Sequence, residues 1–295
     1  MAESGVWDRG LWAMGWAMLA LIAVLFPLRS DAAQTKPNLP QVDLALVLAV
    51  DASGSVSNDR FELQTQGYAA AFRNPKIFEA IHAGNLQSIA VMMVQWTGPD
   101  LHVPVVRWTV LKDQRSVLAF ADTLSHVSRE LFGGGTSLSG AIEYGTAALI
   151  AAPVDAGKQV IDISGDGSND SIPLIIQARD HAVKLKIGIN GLPILTVEPD
   201  LDKFYKQYVT GGPGSFVIAA KDYNAFANAI LRKLVAEISQ NESAGRSFAS
   251  NSSTISRRRR DCAARRSPAP RPLPHRPAPA IWAASDGPPH PSACP

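Results

Sequence analysis

Residues 51–55 of this chain could bind a metal ion. The segment Asp51-Ala52-Ser53-Gly54-Ser55 follows directly after the apolar run Leu44–Val50. Alternate residues of an extended segment point to the same side, so one carboxylate and two hydroxyls can face one point. Gly54 is expected to relax the backbone between the two serines. Since oxygen ligands suit hard cations, the pattern predicts a cation site at the end of a strand.

Two later segments can complete this site. Thr136 follows three glycines at 133–135, which allow close approach of its loop, and Asp166 follows a predicted strand at 158–164. These donors are all oxygen atoms, with no histidine or cysteine among them, so we expect Mg²⁺, with Mn²⁺ or Ca²⁺ as alternatives. The candidate metal-site residues are Asp51, Ser53, Ser55, Thr136 and Asp166.

Each part of the pattern also has a simpler explanation. An isolated Asp-x-Ser-x-Ser segment is often a turn closed by its own side-chain hydrogen bonds. Thr136 could be an ordinary helix N-cap. The segment that begins at Asp166 resembles an EF-hand calcium loop, but Ser171 and Gln177 stand where glycine and glutamate are required. The coincidence of three such segments after or near predicted strands favours the metal site.

Hydrophobic periodicity predicts alternating strands and helices around these segments. Runs typical of strands lie at about 43–50, 88–96, 103–110, 158–164, 185–191 and 211–219. Helical spacing is found at about 58–73, 113–124, 137–151 and 172–183, and again after Asp222. The third strand follows a short turn and contains Pro104, so we expect it to be an antiparallel edge strand.

This order predicts an α/β fold. We expect a Rossmann-like open, mostly parallel sheet with one antiparallel edge strand and helices on both faces. Ligands bind such sheets at the carboxyl ends of the strands. Asp51 and Asp166 follow two strands and Thr136 opens a helix, so the three segments should meet at that edge.

Both ends of the chain depart from this pattern. Within residues 1–33, the apolar run Leu11–Phe26 and the small residues around Ser30-Asp31-Ala32 fit a cleaved secretion signal. An uncleaved membrane anchor is the alternative, and either one predicts a domain at 41–239 outside the cytoplasm. Residues 247–295 are rich in arginine and proline, which predicts a disordered tail.

Charge also separates the tail from the rest. Eight arginines and two aspartates give residues 256–295 a formal charge of +6, and the whole chain carries +2, so residues 1–255 carry about −4. An acidic domain gives no support to nucleic-acid binding. Both cysteines, Cys262 and Cys294, lie in the tail, whose composition also fits a frame-shifted end.

The metal-site pattern resembles the metal-ion-dependent adhesion site (MIDAS) of von Willebrand factor A (VWA) domains. That pattern is Asp-x-Ser-x-Ser, a distant threonine and a later aspartate, and the resemblance covers about residues 41–239. More closely, the stretches Leu44–Asp51, Val160–Gly167 and Ile189–Ile194 resemble the DUF1194 group of secreted bacterial VWA-like proteins. The resemblance implies a periplasmic or secreted bacterial protein, or one anchored in the inner membrane and facing the periplasm if the signal is uncleaved.

The resemblance also implies a role for each candidate residue. Ser53 and Ser55 would bind the cation through their hydroxyls, and Thr136 would bind it directly when a ligand is engaged. Asp51 and Asp166 would act through bound waters and hydrogen bonds to the serines. A protein partner would present an Asp or Glu carboxylate to the cation, and a shift of the last helix could follow. The implied function is adhesion and not catalysis.

Two other functions stay open on the residues alone. One is a metal-dependent hydrolase on the same fold. Its nucleophile could be Ser53 or Ser137, although neither lies in a Gly-x-Ser-x-Gly motif, or a metal-activated water. The chain also has no Gly-x-x-x-x-Gly-Lys phosphate loop. The other alternative is a structural exported domain with an inactive site, against which the complete set of five donors argues.

Overall fold

A computed structural model describes residues 39–239 of the chain. The predicted signal at 1–33 and the predicted tail at 247–295 lie outside these residues. The described strands are β1 (Gln41–Asp51), β2 (Ile89–Trp96), β3 (His102–Leu111), β4 (Asp155–Gly165) and β5 (Gly188–Pro193). The described helices are α1 (Asn58–Arg73), α2 (Pro75–His82), α3 (Gln114–Ser125), α4 (Leu138–Ile150), α5 (Ile172–Lys184), α6 (Leu201–Phe204) and α7 (Phe226–Ser239). A π-helical turn (Tyr205–Val209) follows α6.

The sheet of the described region has the order β3-β2-β1-β4-β5. Strand β1 is parallel to β2 and β4, and β4 is parallel to β5, whereas β3 is antiparallel to β2. The predicted open, mostly parallel sheet with an antiparallel edge strand is therefore confirmed. In the β1–β4 register Val50 lies opposite Ser164, so the residues that follow these two strands emerge at the same edge of the sheet.

The central strand β1 is apolar on both faces because helices cover both sides of the sheet. Every residue of β1 after Gln41 is buried. Leu44, Leu46 and Leu48 belong to a core shared with α1, α2, α3 and α7. The intervening side chains, such as Val47, belong to a second core shared with α4 and α5. This arrangement explains the uninterrupted apolar run, which is typical of a doubly covered parallel strand.

The helix that follows the candidate metal loop begins and ends as predicted. Ser57 is the N-cap of α1 and accepts a hydrogen bond from Arg60 N at 3.3 Å. The helix ends before Asn74, whose extended backbone suits the proline that follows. One face of α1, which includes Phe61, Thr65, Tyr68 and Phe72 at helical spacing, is buried.

The predicted strand at 211–219 was wrong. Only isolated bridges join the chain from Gly211 onward to β5 and its C-terminal extension. Gly212 and Gly214 adopt positive φ angles of 87° and 67°, and the Pro213 between them has no N–H, so a regular ladder cannot form there. The predicted strand at 185–191 is displaced to Gly188–Pro193, since α5 continues to Lys184.

Two helices were not predicted, α2 and α6. Asn74 ends α1 and is also the N-cap of α2, because its side chain accepts a hydrogen bond from Lys76 N at 3.1 Å. Pro75 occupies the first position of α2, where its missing N–H costs nothing. The Asn74-Pro75 pair therefore separates two helices. The sequence analysis predicted only the end of the first helix at this point.

Within residues 39–239, no helix is long and apolar enough to cross a membrane.

Candidate metal centre

The Asp51–Ser55 segment forms a closed turn at the carboxyl end of β1. Asp51 Oδ1 accepts a hydrogen bond from Ser53 N at 2.7 Å, and Val56 N donates to Ser53 O at 3.1 Å. Ala52 N donates to Trp96 O at 2.9 Å, which holds the turn beside the end of β2. Gly54 does not adopt a positive φ. The turn therefore does not use the backbone freedom that we expected glycine to provide here.

Four of the five predicted residues form one hydrogen-bonded cluster. Ser53 Oγ lies 3.1 Å from Ser55 Oγ. Ser55 Oγ donates to Asp166 Oδ1 at 2.6 Å, although the two residues are 111 positions apart in the chain. Asp166 N donates to Asp51 Oδ2 at 3.4 Å. The structure thus brings the ends of β1 and β4 together through their polar side chains.

Thr136 lies beside the same cluster. A Cβ added to Gly167, the residue after Asp166, would lie 3.9 Å from Thr136 Oγ1. Thr136 is not the N-cap of α4, because Ser137 takes that position and accepts a hydrogen bond from Gly140 N at 3.2 Å. The capping alternative for Thr136 is therefore wrong, and its half-buried hydroxyl group lies next to the loop that follows β4.

The start of α4 is held against the ends of two strands. Ser137 N donates to Thr97 O, just after β2, at 2.6 Å. Asp170, in the loop after β4, accepts a hydrogen bond from Ser139 N at 2.7 Å. These contacts fix the loop that carries Thr136 relative to both strands.

The donor set fits a hard divalent cation. Adjacent ligands of an octahedral Mg²⁺ lie about 2.9 Å apart, given Mg–O distances of about 2.0–2.1 Å. The two serine hydroxyls are separated by 3.1 Å, close to that spacing. Among the described residues, no group of three or more His, Cys, Asp or Glu side chains is arranged to hold a metal ion.

Burial dominates the electrostatics of Asp51. Its side chain is fully buried, and this burial raises the pKa of Asp51 from 3.8 to about 7. Hydrogen bonds from Ser53 lower the pKa, whereas the nearby Asp166 carboxylate raises it. A negative charge on the buried Asp51 carboxylate is therefore unfavourable when no positive charge compensates it. A bound cation would supply that compensation.

Gly165 provides the space beside Asp51. A Cβ at this position would lie 2.9 Å from Asp51 Oδ2, 2.9 Å from Tyr205 Oη and 3.2 Å from Trp96 Cζ2. Tyr205 Oη has no hydrogen-bond partner in the described residues. The glycine is therefore required by close packing around the carboxylate.

Two residues that the sequence analysis missed contact Asp166. Arg60 Nη1 lies 3.6 Å from Asp166 Oδ2 and donates to Ser55 O at 2.8 Å. Tyr223 Oη donates to Asp166 Oδ2 at 2.9 Å. Arg60 lies in the first turn of α1, where its closeness to the loop could have been inferred. Tyr223 lies 57 residues from Asp166, and no local pattern indicates its role.

Two further missed residues support the surrounding loops. Arg129 Nη2 donates to Ala52 O at 3.0 Å and to Ser53 O at 2.9 Å. Glu198 Oε1 accepts a hydrogen bond from Ser168 N at 2.9 Å. The metal loop and the loop after β4 are thus each held by a charged side chain from a distant loop.

The described residues form an open, mostly parallel α/β sheet of order β3-β2-β1-β4-β5, with hydroxyl and carboxylate groups meeting beyond β1 and β4. Residues 41–242 match the family described as "Protein of unknown function (DUF1194)", and the chain belongs to that family. The predicted membership is thereby confirmed. No curated protein sequence matches the chain.

Solved structures of similar fold include adhesins and VWA proteins. The pilus adhesin SpaC from Lactobacillus rhamnosus GG is 18% identical, with a TM-score of 0.48, and the match covers 70% of this chain and 32% of that one. A von Willebrand factor type A protein from Catenulispora acidiphila is 15% identical, with a TM-score of 0.45 and coverage of 67% and 43%. Proximal thread matrix protein 1 from the mussel byssus, "with zinc occupied MIDAS motif", is 14% identical, with a TM-score of 0.45 and coverage of 66% and 45%.

These likenesses are distant, since all three TM-scores lie below 0.5. The chain spans less than half the length of each of these proteins.

Proposed function

We propose that this protein is an exported, metal-ion-dependent protein-binding module of the adhesion type. In this proposal Ser53, Ser55 and Thr136 bind a divalent cation, with Mg²⁺ preferred and Mn²⁺ or Ca²⁺ as alternatives. Asp51 and Asp166 act through bound waters and through hydrogen bonds to the serines. The bound cation supplies an open coordination position for an Asp or Glu carboxylate of a protein partner.

One observation carries the proposal. Ser55 Oγ donates to Asp166 Oδ1 at 2.6 Å, while the same hydroxyl lies 3.1 Å from Ser53 Oγ. Two hydroxyls at the spacing of adjacent octahedral ligands, oriented by a carboxylate from another strand, are suited to a hard cation.

The carboxylates of the cluster are already engaged by protein groups. Asp51 accepts a hydrogen bond from Ser53 N, and Asp166 accepts hydrogen bonds from Ser55 and Tyr223. Their charge is therefore shared with these donors, and the direct ligands are neutral hydroxyls. A cation bound in this way keeps much of its positive charge, which favours an anionic group from a partner.

The serine contacts favour binding over hydrolysis. Ser137 Oγ is used as the N-cap of α4. Within the described residues, the side chains that hydrogen-bond to Ser53 or Ser137 are serines, aspartates and Arg129, and none is a histidine. A nucleophilic serine is typically activated by an adjacent histidine, whereas these contacts place Ser53 in the turn and Ser137 in a helix cap, which favours binding.

Export is proposed from the N-terminal sequence. The apolar run Leu11–Phe26 and the small residues near Ala32 fit a secretion signal, which would deliver the domain to the periplasm or beyond. Membrane anchoring of the same segment is the alternative.

A thermal-shift experiment on the full chain tests the metal site. We expect Mg²⁺ or Mn²⁺ to raise the melting temperature relative to EDTA, because a ligand at 100 times its Kd stabilises by about 2.7 kcal/mol. For a domain of this size that corresponds to a rise of about 5–10 °C. Asp51→Ala and the less buried Thr136→Ala should each reduce the shift.

Asp122→Ala is the matched control, because this exposed aspartate on α3 pairs with Arg73 far from the cluster. It should keep the full metal response. A wild-type chain whose melting temperature is unchanged by Mg²⁺, Mn²⁺ and Ca²⁺ would contradict the proposal.

A further inference from the structure

Arg60 places a positive charge beside the candidate metal site. Its guanidinium lies 3.6 Å from Asp166 Oδ2, and its side chain is 35% exposed while that of Asp166 is fully buried. The same group donates to Ser55 O at 2.8 Å and lies 5.3 Å from the centre of the Tyr223 ring. Arg60 is therefore held in place by three neighbours, two of which belong to the candidate site.

The contacts of Arg60 indicate two opposing effects on cation binding. The hydrogen bond to Ser55 O supports the shape of the turn that presents the serine hydroxyls. The positive charge beside Asp166 offsets part of the negative charge that attracts a cation. A purely supporting residue would strengthen cation binding, whereas a charge-offsetting residue would weaken it.

We propose that Arg60 lowers the affinity of the site for the cation and so leaves a bound cation dependent on an anionic partner. This inference rests on the proposed function, because it concerns the same site. With Arg60 beside Asp166, the two acidic side chains do not fully balance a divalent charge. A partner carboxylate completes that balance, so Arg60 makes the site selective for anionic partners.

The size of the effect follows from Coulomb's law. A tenfold change in affinity corresponds to about 1.4 kcal/mol, which is the order of the repulsion between a unit positive charge and a nearby divalent cation in water. The repulsion is larger where the site is shielded from solvent. Removing this charge should therefore tighten cation binding, even though one hydrogen bond to the turn is lost.

Calorimetric titration of MgCl₂ and MnCl₂ into the full chain tests this inference. We expect Arg60→Gln to bind either ion about tenfold more tightly than the wild type. Arg60→Lys keeps the charge and should stay close to the wild-type affinity. Arg73→Gln, on the same helix but paired with the exposed Asp122, should leave the affinity unchanged.

The outcomes separate this inference from the proposed function. If the wild type binds the cation and Arg60→Gln binds it equally or more weakly, Arg60 supports the turn and the inference fails alone. If Arg60→Lys tightens binding as much as Arg60→Gln, charge is not the cause, and the inference also fails. If neither the wild type nor Arg60→Gln binds Mg²⁺ or Mn²⁺, the proposed metal site fails first.

Discussion

Lys233 lies on helix α7 and should contribute a large part of the domain's stability. Its ammonium lies 2.6 Å from Asp162 Oδ1 and also contacts Glu237 Oε1. All three side chains are fully buried. Asn190 Nδ2 donates to Glu237 Oε1 at 2.8 Å. Helix α7 is therefore joined to the middle of β4 and β5 by a buried charged cluster.

The variant Lys233→Met removes the ammonium and leaves two carboxylates inside the protein. Breaking a buried ion pair by removing one partner costs about 3–5 kcal/mol, because a buried charge is left uncompensated. Unfolding free energies of single domains are about 5–15 kcal/mol, so this loss is a large fraction of the total. The melting temperature should fall by about 6–20 °C for a domain of this size.

The loss should depend on pH. Burial, and next the Glu237 carboxylate, raise the pKa of Asp162 from 3.8 to about 7, while Lys233 lowers it. The folded state therefore binds more protons than the unfolded state between these values, and wild-type stability should fall as the pH rises through this window. Without Lys233 the carboxylate pKa rises further, so both proteins lose stability in parallel as the pH rises to about 7, and the deficit of the variant should grow as the pH rises above about 7.

Urea unfolding of the full chain at pH 5, 6, 7 and 8 measures this deficit. Lys203→Met is the control, because Lys203 pairs with Asp200 on the surface and both side chains are at least 75% exposed. The triple variant Asp162→Asn, Lys233→Met, Glu237→Gln should recover much of the loss, since no charge stays buried. A loss below about 1 kcal/mol at pH 8, or a loss independent of pH, would refute the reasoning.

Three further substitutions test the packing of the candidate site. Gly165→Ala should destabilise the fold by about 1–3 kcal/mol, since its Cβ meets Asp51 and Tyr205 at 2.9 Å, and should weaken the metal-induced thermal shift. Gly54→Ala meets nothing within 4 Å and should change little; equal losses in both variants would contradict this packing argument. Tyr223→Phe leaves one oxygen of Asp166 with fewer donors and should cost about 1–2 kcal/mol in chemical unfolding, whereas an unchanged midpoint would show that this hydrogen bond contributes nothing.

The sheet was predictable because each central strand has a local signature. An uninterrupted apolar run predicts a strand covered on both faces, and β1, with all but its first residue buried, has that environment. Pro104 and the short turn before it predicted the antiparallel edge position of β3. The chain at 211–219 is apolar only from Phe216 to Ala219, and the glycines and proline at 211–214, with Gly212 and Gly214 at positive φ, are a turn signal that the strand prediction overlooked.

The donor cluster was predictable for a related reason. Its members lie directly after predicted strands, and parallel strands place their carboxyl ends at one edge. Asp51, Ser53, Ser55 and Asp166 are indeed in hydrogen-bond contact there. Their roles as metal ligands stay a prediction. Arg129 and Tyr223 reach the site from loops whose paths follow from the whole fold, so spacing alone could not identify them.

The buried charges of α7 show the limit of periodicity most clearly. Lys233 and Glu237 are four residues apart, a spacing that is typical of an exposed ion pair on a helix surface. The apolar face of α7, with Ile230 and Leu234, is buried as the helical spacing after Asp222 predicts. Asp162, in the middle of β4, is the residue that indicates a buried ion pair. A buried aspartate requires a cationic partner, which here comes from another element.

The charged cluster and the candidate metal centre are connected through α1 and β4. Gln64 Nε2, on α1, donates to Asp51 O at 3.1 Å. Ser164, on β4, lies 3.5 Å from Gln64 Oε1 and accepts a hydrogen bond from Tyr68 Oη at 3.3 Å. Burial, and then the charge of Asp162, raise the pKa of Tyr68 well above its ordinary value, so this phenol stays a donor. Because buried polar groups require partners, a movement of α1 that broke the bond at Asp51 would also disturb the hydrogen bonds of Ser164 with Gln64 and Tyr68. Helix α1 thus holds the candidate metal loop through Gln64 and contacts α7 through the edge-on ring pair of Tyr68 and Phe226, whose centroids lie 5.4 Å apart.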